Sequence, residues 1–160
     1  MQVRPADPAE IDHLAQVWHD AWHGSHALLA PPELVRLRTL PNFRDRLAAM
    51  LDTINVVGPV GAPSGFCAIK SDELYQLFVS QAAHGTGVAA ALIADAEKRL
   101  AARGVELAWL ACAVGNMRAA RFYEKSGWDN VGTFVMMSET SIGPFPVDQW
   151  RFEKRLARSA

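Results

Sequence analysis

Nine consecutive residues, Gln81-Ala82-Ala83-His84-Gly85-Thr86-Gly87-Val88-Ala89, constrain the fold of this chain more than any other stretch. Before them runs Glu73-Leu74-Tyr75-Gln76-Leu77-Phe78-Val79, rich in strand-forming residue types. After them comes 88–103, without Pro or Gly and with apolar residues at helical spacing. A strand, a tight glycine turn and a helix start leave free backbone N–H groups converging at the positive end of the helix dipole. Gly85 and Gly87 clear that spot of side chains. The combination predicts an anion site, and the expected guest is a pyrophosphate.

The glycine turn by itself leaves other readings open. No Lys-Ser or Lys-Thr follows Gly87, so it is not a nucleoside-triphosphatase loop. A dinucleotide-binding turn wants a third glycine and an acid at the end of the next strand. Ala90 stands where that glycine would be, and 107–114 ends without an acid. A tight turn that binds nothing is the plainer alternative.

The rest of the chain reads as an α+β domain around one mixed sheet, a single unit over 1–160. A short strand starts at Val3. Ile11, Leu14, Trp18 and Trp22 share one face of a helix expected to start at Asp7 or Pro8 and stop at Gly24. Leu34, Leu37, Phe43, Leu47 and Leu51 predict short helical pieces. Strands are expected over 54–57, 66–70 and from Asp72 or Glu73 to about Ser80. In the helix after the glycines, Val88, Leu92, Ala96 and Leu100 point inward and Asp95, Lys98 and Arg99 outward. The apolar run 107–114 predicts a strand covered on both faces. Asn116 caps a short helix carrying Ala119, Phe122 and Tyr123, ended by Gly127. Two strands close the chain, about 128–139 and 147–156, with 140–146 as the turn between them.

Composition excludes several classes. A net charge of −1, with basic residues dispersed, argues against a nucleic-acid partner. No apolar run reaches the ~18 residues of a membrane span, and the N-terminus lacks a secretory apolar stretch. Cys67 and Cys112 both sit in apolar strand-like runs, which speaks against a disulfide framework. The expectation is a cytoplasmic protein with no membrane association.

The segment Asn116-Met117-Arg118-Ala119-Ala120-Arg121-Phe122-Tyr123-Glu124-Lys125-Ser126-Gly127-Trp128 adds a phenol two helical turns after a helix cap. Taken with the glycine turn, it makes the chain resemble the GNAT superfamily of acetyl-CoA-dependent N-acetyltransferases over nearly its whole length. The superfamily's glycine signature is Gln or Arg, two free positions, Gly, any residue, then Gly or Ala. Here it reads His84-Gly85-Thr86-Gly87-Val88-Ala89, with His84 replacing the usual first residue.

The resemblance implies a mostly antiparallel mixed sheet of about seven strands, flanked by about four helices and splayed between the fourth and fifth strands. It implies acetyl-CoA as co-substrate and no metal. The pyrophosphate would lie on His84, Gly85, Thr86, Gly87, Val88 and Ala89. The pantetheine arm would run along Leu77, Phe78 and Val79, with Asn116 and Ala119 near it. Tyr123 would protonate the departing thiolate. Glu73 would deprotonate the acceptor amine through a water, or else be a solvated charge at a strand end. The acceptor is a small-molecule or peptide amine, attacked directly in a ternary complex. The alternative is a non-catalytic acyl-CoA sensor or scaffold.

Trp22, His23 and His26 are expected to touch the acceptor. His19 and His23 have a metal-compatible spacing, but no third ligand in a recognised motif accompanies them. Arg36, Arg38, Arg44 and Arg46 read as solvated helix charges unless the acceptor is acidic. Met136 and Met137 need no special role, and a homodimer through the last strands is left open.

Overall fold

A computed structural model describes residues 1–157. Seven strands form one sheet in the order β1-β2-β3-β4-β5-β7-β6: β1 Val3–Pro5, β2 Ile54–Val57, β3 Gly65–Lys70, β4 Glu73–Val79, β5 Leu107–Ala113, β6 Asp129–Thr140 and β7 Gly143–Arg155. All neighbours run antiparallel except β4 and β5. Five helices accompany them: α1 Ile11–His26, α2 Pro32–Leu37, α3 Leu40–Ala49, α4 Val88–Ala102 and α5 Met117–Lys125. The stretch between α1 and β2 breaks at Arg38, because the Thr39 side chain caps a new helix by accepting from Asn42 N–H. Helix α1 passes through Gly24 to His26, since Gly24 keeps a helical backbone and supplies no left-handed cap. Among the described residues, no helix is long and apolar enough to cross a membrane.

The sheet separates two cores. On one face α4 and α5 cover Leu74, Leu92, Leu100, Leu110, Trp128 and Phe152. On the other, α1 and α3 cover Trp18, Phe43, Leu47, Ile54, Phe66 and Val147. Strand β4 serves both, and a bulge decides how. Ala68 pairs with Gln76 and Ile69 with Leu74, so Tyr75 is the extra residue. One inserted residue inverts the alternation. Leu74 faces the α4 core before the bulge, while Leu77 and Val79 face it afterwards; Tyr75 and Phe78 face α1.

Past Glu73↔Trp109, β4 and β5 exchange no further pairs, and the sheet opens as a V. β4 keeps its β3 neighbour down to Val79↔Gly65, so one of its edges stays unpartnered along the opening. β5 is therefore not covered on both faces. Ala108, Leu110 and Cys112 are buried against α4 and α5, while Ala111 and Ala113 also line the opening.

Two further sequence expectations give way. The turn between β6 and β7 is only Ser141-Ile142, and Pro144, Phe145 and Pro146 continue β7 opposite Glu139, Ser138 and Met137. β5 has ended by Gln149, so the N–H groups these prolines lack would have faced a side with no strand. Asp95 and Arg99 are half-buried rather than outward: Arg99 donates to Asp95 at 2.9 Å and to the Thr53 carbonyl at 2.9 Å, and Asn55 donates to Asp95 at 3.0 Å. They clamp α4 to β2.

Candidate active site

The glycine turn delivers the predicted cradle. Gly85 and Gly87 have φ of +78° and +90°, a left-handed backbone costly for any residue with a Cβ. A Cβ at Gly85 would enter open space, the room a ligand would use. Gly87 is the N-cap of α4 and offers no side-chain acceptor. The amides of Gly85, Gly87, Val88, Ala89 and Ala90 find no acceptor among the described residues, whereas Ala91 N–H already bonds Gly87 O. Val88 and Thr86 side chains lie elsewhere: Val88 is buried in the α4 core, and Thr86 Oγ1 donates to Ala83 O.

From this cradle a cleft of about 1590 Å³ follows the V between β4 and β5. Drug-sized ligands take roughly 300–1,000 Å³, so there is room for two reactants. Leu77, Phe78, Val79, His84, Gly85, Gly87, Ala89, Asn116, Ala119 and Tyr123 all line it. Asn116 faces a second duty, because its side chain accepts from Ala119 N–H at 3.3 Å and caps α5.

Glu73 sits where the two strands meet, 6% exposed, and its Oε2 has no hydrogen-bond partner among the described residues. It is not a solvated strand-end charge. Burial pushes its carboxyl up to about 7, with Asp72 adding to the rise and Lys70 and Arg151 opposing it. Tyr123 projects from α5 into the same cleft. Its ring packs on Phe152 at 5.6 Å, and its hydroxyl makes no hydrogen bond to the described residues. Burial and the nearby Cys112 hold the phenol above its ordinary range, so it stays protonated. Cys112 also lines the cleft, but burial pushes its thiol up to about 12, which removes the thiolate a nucleophile needs.

The far wall comes from α1, the α2–α3 junction and the tip of the β6–β7 hairpin. Trp22 is 7% exposed and stacks on His26, centroids 5.0 Å apart and nearly parallel. Both line the cleft, and burial lowers His26 to about 4, so its ring is neutral near pH 7. His23 stands apart from the cleft lining. Its Nε2 is 2.6 Å from Arg38 O, tying α1 to the α2–α3 junction.

Arg38 and Arg46 depart furthest from expectation. Arg38 is 3% exposed, and both arginines line the cleft. Arg38 Nη1 donates to Asn42 at 2.9 Å and to Glu139 O at 2.6 Å, which pins the hairpin tip to the helical layer. Arg46 lies 4.3 Å over the Trp18 ring and donates to Tyr75 Oη at 3.3 Å. Met136, Met137, Glu139 and Asp148 complete the wall, so the methionines are cleft residues after all. Nothing in local periodicity marks any of these positions. They meet because a hairpin over a hundred residues away folds back onto α2 and α3.

A model of the Acetyltransferase (GNAT) family matches residues 45–128, just over half of the chain. The chain belongs to this GNAT acetyltransferase family. The fold agrees with solved structures of low identity. A GCN5-related N-acetyltransferase from Rhodopseudomonas palustris superposes with a TM-score of 0.76 at 21% identity, over 97% of this chain and 95% of the other. A ribosomal-protein-alanine N-acetyltransferase from Brucella melitensis gives 0.74 at 17%, over 98% and 100%. A paia N-acetyltransferase from Thermoplasma acidophilum, solved in complex with coenzyme A, gives 0.66 at 18%, over 96% and 98%. The GNAT match takes in the glycine turn, both edges of the V and Tyr123. It leaves out α1, α2, β6 and β7, which build most of the far wall.

Proposed function

We propose that this single GNAT domain transfers an acetyl group from acetyl-CoA to a primary amine by direct attack within a ternary complex. One observation carries the reading. A buried carboxyl without a partner, poised near neutral pH, shares a cleft with a protonated phenol and a cradle of free amides. Acetyl-CoA supplies a thioester carbonyl and a thiolate leaving group.

The chain's own groups divide the remaining work. The free amides of Gly85, Gly87, Val88, Ala89 and Ala90 hold the pyrophosphate at the helix N-terminus. The free edge of β4 from Gln76 to Val79 takes the pantetheine amides as an added strand would. Glu73 accepts, through a bridging water, the proton that the acceptor's ammonium must lose before the neutral nitrogen attacks the thioester carbonyl. Tyr123 gives its proton to the departing sulfur. Cys112 takes no covalent part.

Thiol release from acetyl-CoA, followed across a panel of primary amines, tests the proposal. Amine-dependent release supports transfer. Coenzyme A binding by calorimetry with no release for any amine would leave a sensor or scaffold instead. Absence of binding to both acetyl-CoA and free CoA at millimolar ligand would overturn the whole reading.

A further inference from the structure

The acceptor end of the cleft holds two guanidinium groups with no carboxylate in contact. Arg38 and Arg46 form no ion pair among the described residues. Burial disfavours the Arg38 cation most and the nearby Arg46 adds to that, while Tyr75 and the Glu139 carboxylate oppose it. A guanidinium has five N–H donors. Arg38 spends only Nη1; Nε is buried without a partner and Nη2 donates to nothing among the described residues. Nε and Nη2 form one side edge of the fork, the geometry that binds a carboxylate through two parallel bonds.

Arg46 is held in place but offers single donors rather than an open fork edge, because its Nη2 is already engaged. Trp18 stacks under its guanidinium and Tyr75 Oη fixes Nη2, leaving Nε and Nη1 free. Tyr75 is the bulged residue of β4, so the same irregularity that sets the strand's faces also places this anchor two residues from Glu73. Lys70 adds a third cation, 5.1 Å from the Tyr75 ring. The acids on the cleft wall are Asp20, Glu73, Glu139 and Asp148. Glu139 hydrogen-bonds Arg38 through its backbone carbonyl, and its carboxylate favours the Arg38 cation from a distance without forming an ion pair.

We propose that the acceptor is an amine bearing a carboxylate, and that Arg38 and Arg46 receive that carboxylate while the amine is directed toward Glu73. This rests on the acetyl-transfer reading and narrows its acceptor. A bare alkylamine would bring one more cation to a wall that already holds Arg38, Arg46 and Lys70. A carboxylated amine neutralises the wall and is oriented by it, which neutral amides cannot do.

The test compares kcat/KM for α-amino acids, ω-amino acids, their carboxamides and alkylamines of matched length, with coenzyme A calorimetry run in parallel. At least one carboxylated amine is expected to exceed its carboxamide by about 10–100-fold, the range for a hydrogen bond to a charged group. Because Arg38 also pins the hairpin, Arg46→Gln is the main variant and Arg38→Lys the second. Arg46→Gln should erase most of that preference through KM, with the heat of coenzyme A binding unchanged. Equal or better turnover of carboxamides or alkylamines overturns the inference and leaves acetyl transfer standing. So does coenzyme A binding with no carboxylated amine reacting, or an undiminished preference in both variants. No heat with coenzyme A refutes the underlying reading, and this one with it.

Discussion

Glu73→Gln should abolish a catalytic step and strengthen the fold together. The carboxyl rises from an ordinary value of 4.5 to about 7 on folding. At ~1.4 kcal/mol for each tenfold change in proton affinity, that is about 3 kcal/mol. The sign follows from where the proton sits. Between pH 4.5 and 7 the folded chain holds a proton that the unfolded chain has released. Stability therefore falls across this window and, above pH 7, remains lower by about 3 kcal/mol. Gln mimics the protonated acid and avoids that loss. At pH 8 the variant should melt roughly 6–12 °C higher, and at pH 4 within a degree or two of the parent.

The same numbers govern catalysis. Moving a proton from an ammonium of pKa ~10.4 to an ordinary carboxylate is uphill by about 8 kcal/mol, but to this one by only about 4–5 kcal/mol. On the proposed mechanism, burial would make Glu73 a usable base at the cost of stability. In the parent, kcat/KM should show an acid limb with a midpoint near pH 7, rising with pH as Glu73 loses its proton. Glu73→Gln should lose that limb and drop turnover by roughly 10²–10⁴-fold. Thermal melts at pH 4 and 8 with pH–rate profiles check both halves. A variant that turns over normally, or that is no more stable at pH 8, refutes the reasoning.

Tyr123→Phe removes one proton donor and keeps the ring contact with Phe152, so turnover should fall roughly 10²-fold with coenzyme A affinity nearly unchanged. Steady-state kinetics beside calorimetry will separate the two. Gly87→Glu sets a carboxylate into the amide cradle at a φ of +90°, and titration should detect no coenzyme A binding at millimolar ligand. Glu10 is 1% exposed; it takes two bonds from Arg4, at 2.9 and 2.7 Å, and backbone bonds from Asp7 and Gly61. The Arg4 guanidinium, foremost, holds its carboxyl down at about 2 against an ordinary 4.5. This stabilisation, about 3 kcal/mol, is complete above pH 4.5 and is lost as pH falls toward 2. Glu10→Gln should lower the melting temperature at pH 7 and flatten its decline in acid.

The sequence alone determined what is local. Gly85 and Gly87 specified a left-handed turn and a bare helix start because few other residues adopt that backbone without strain. Asn116 specified a helix cap, and β2 and most of α4 followed from apolar periodicity. These features lie within one strand–turn–helix or one helix start, so neighbouring residues suffice to read them.

Tertiary structure decided the charges. Glu73 could equally be a base or a solvated end charge in sequence, because its proton affinity depends on what covers it. Closure of β4 onto β5 left it only 6% exposed, at the cleft wall. Arg38 and Arg46 looked like ordinary helix-surface cations, and His23 like an acceptor contact. The β6–β7 hairpin, reaching back to the α2–α3 junction, buried Arg38, while α1 took His23 as a strut. Electrostatic character at these positions is set by long-range burial and by neighbours from other elements, and no periodicity along the chain encodes either.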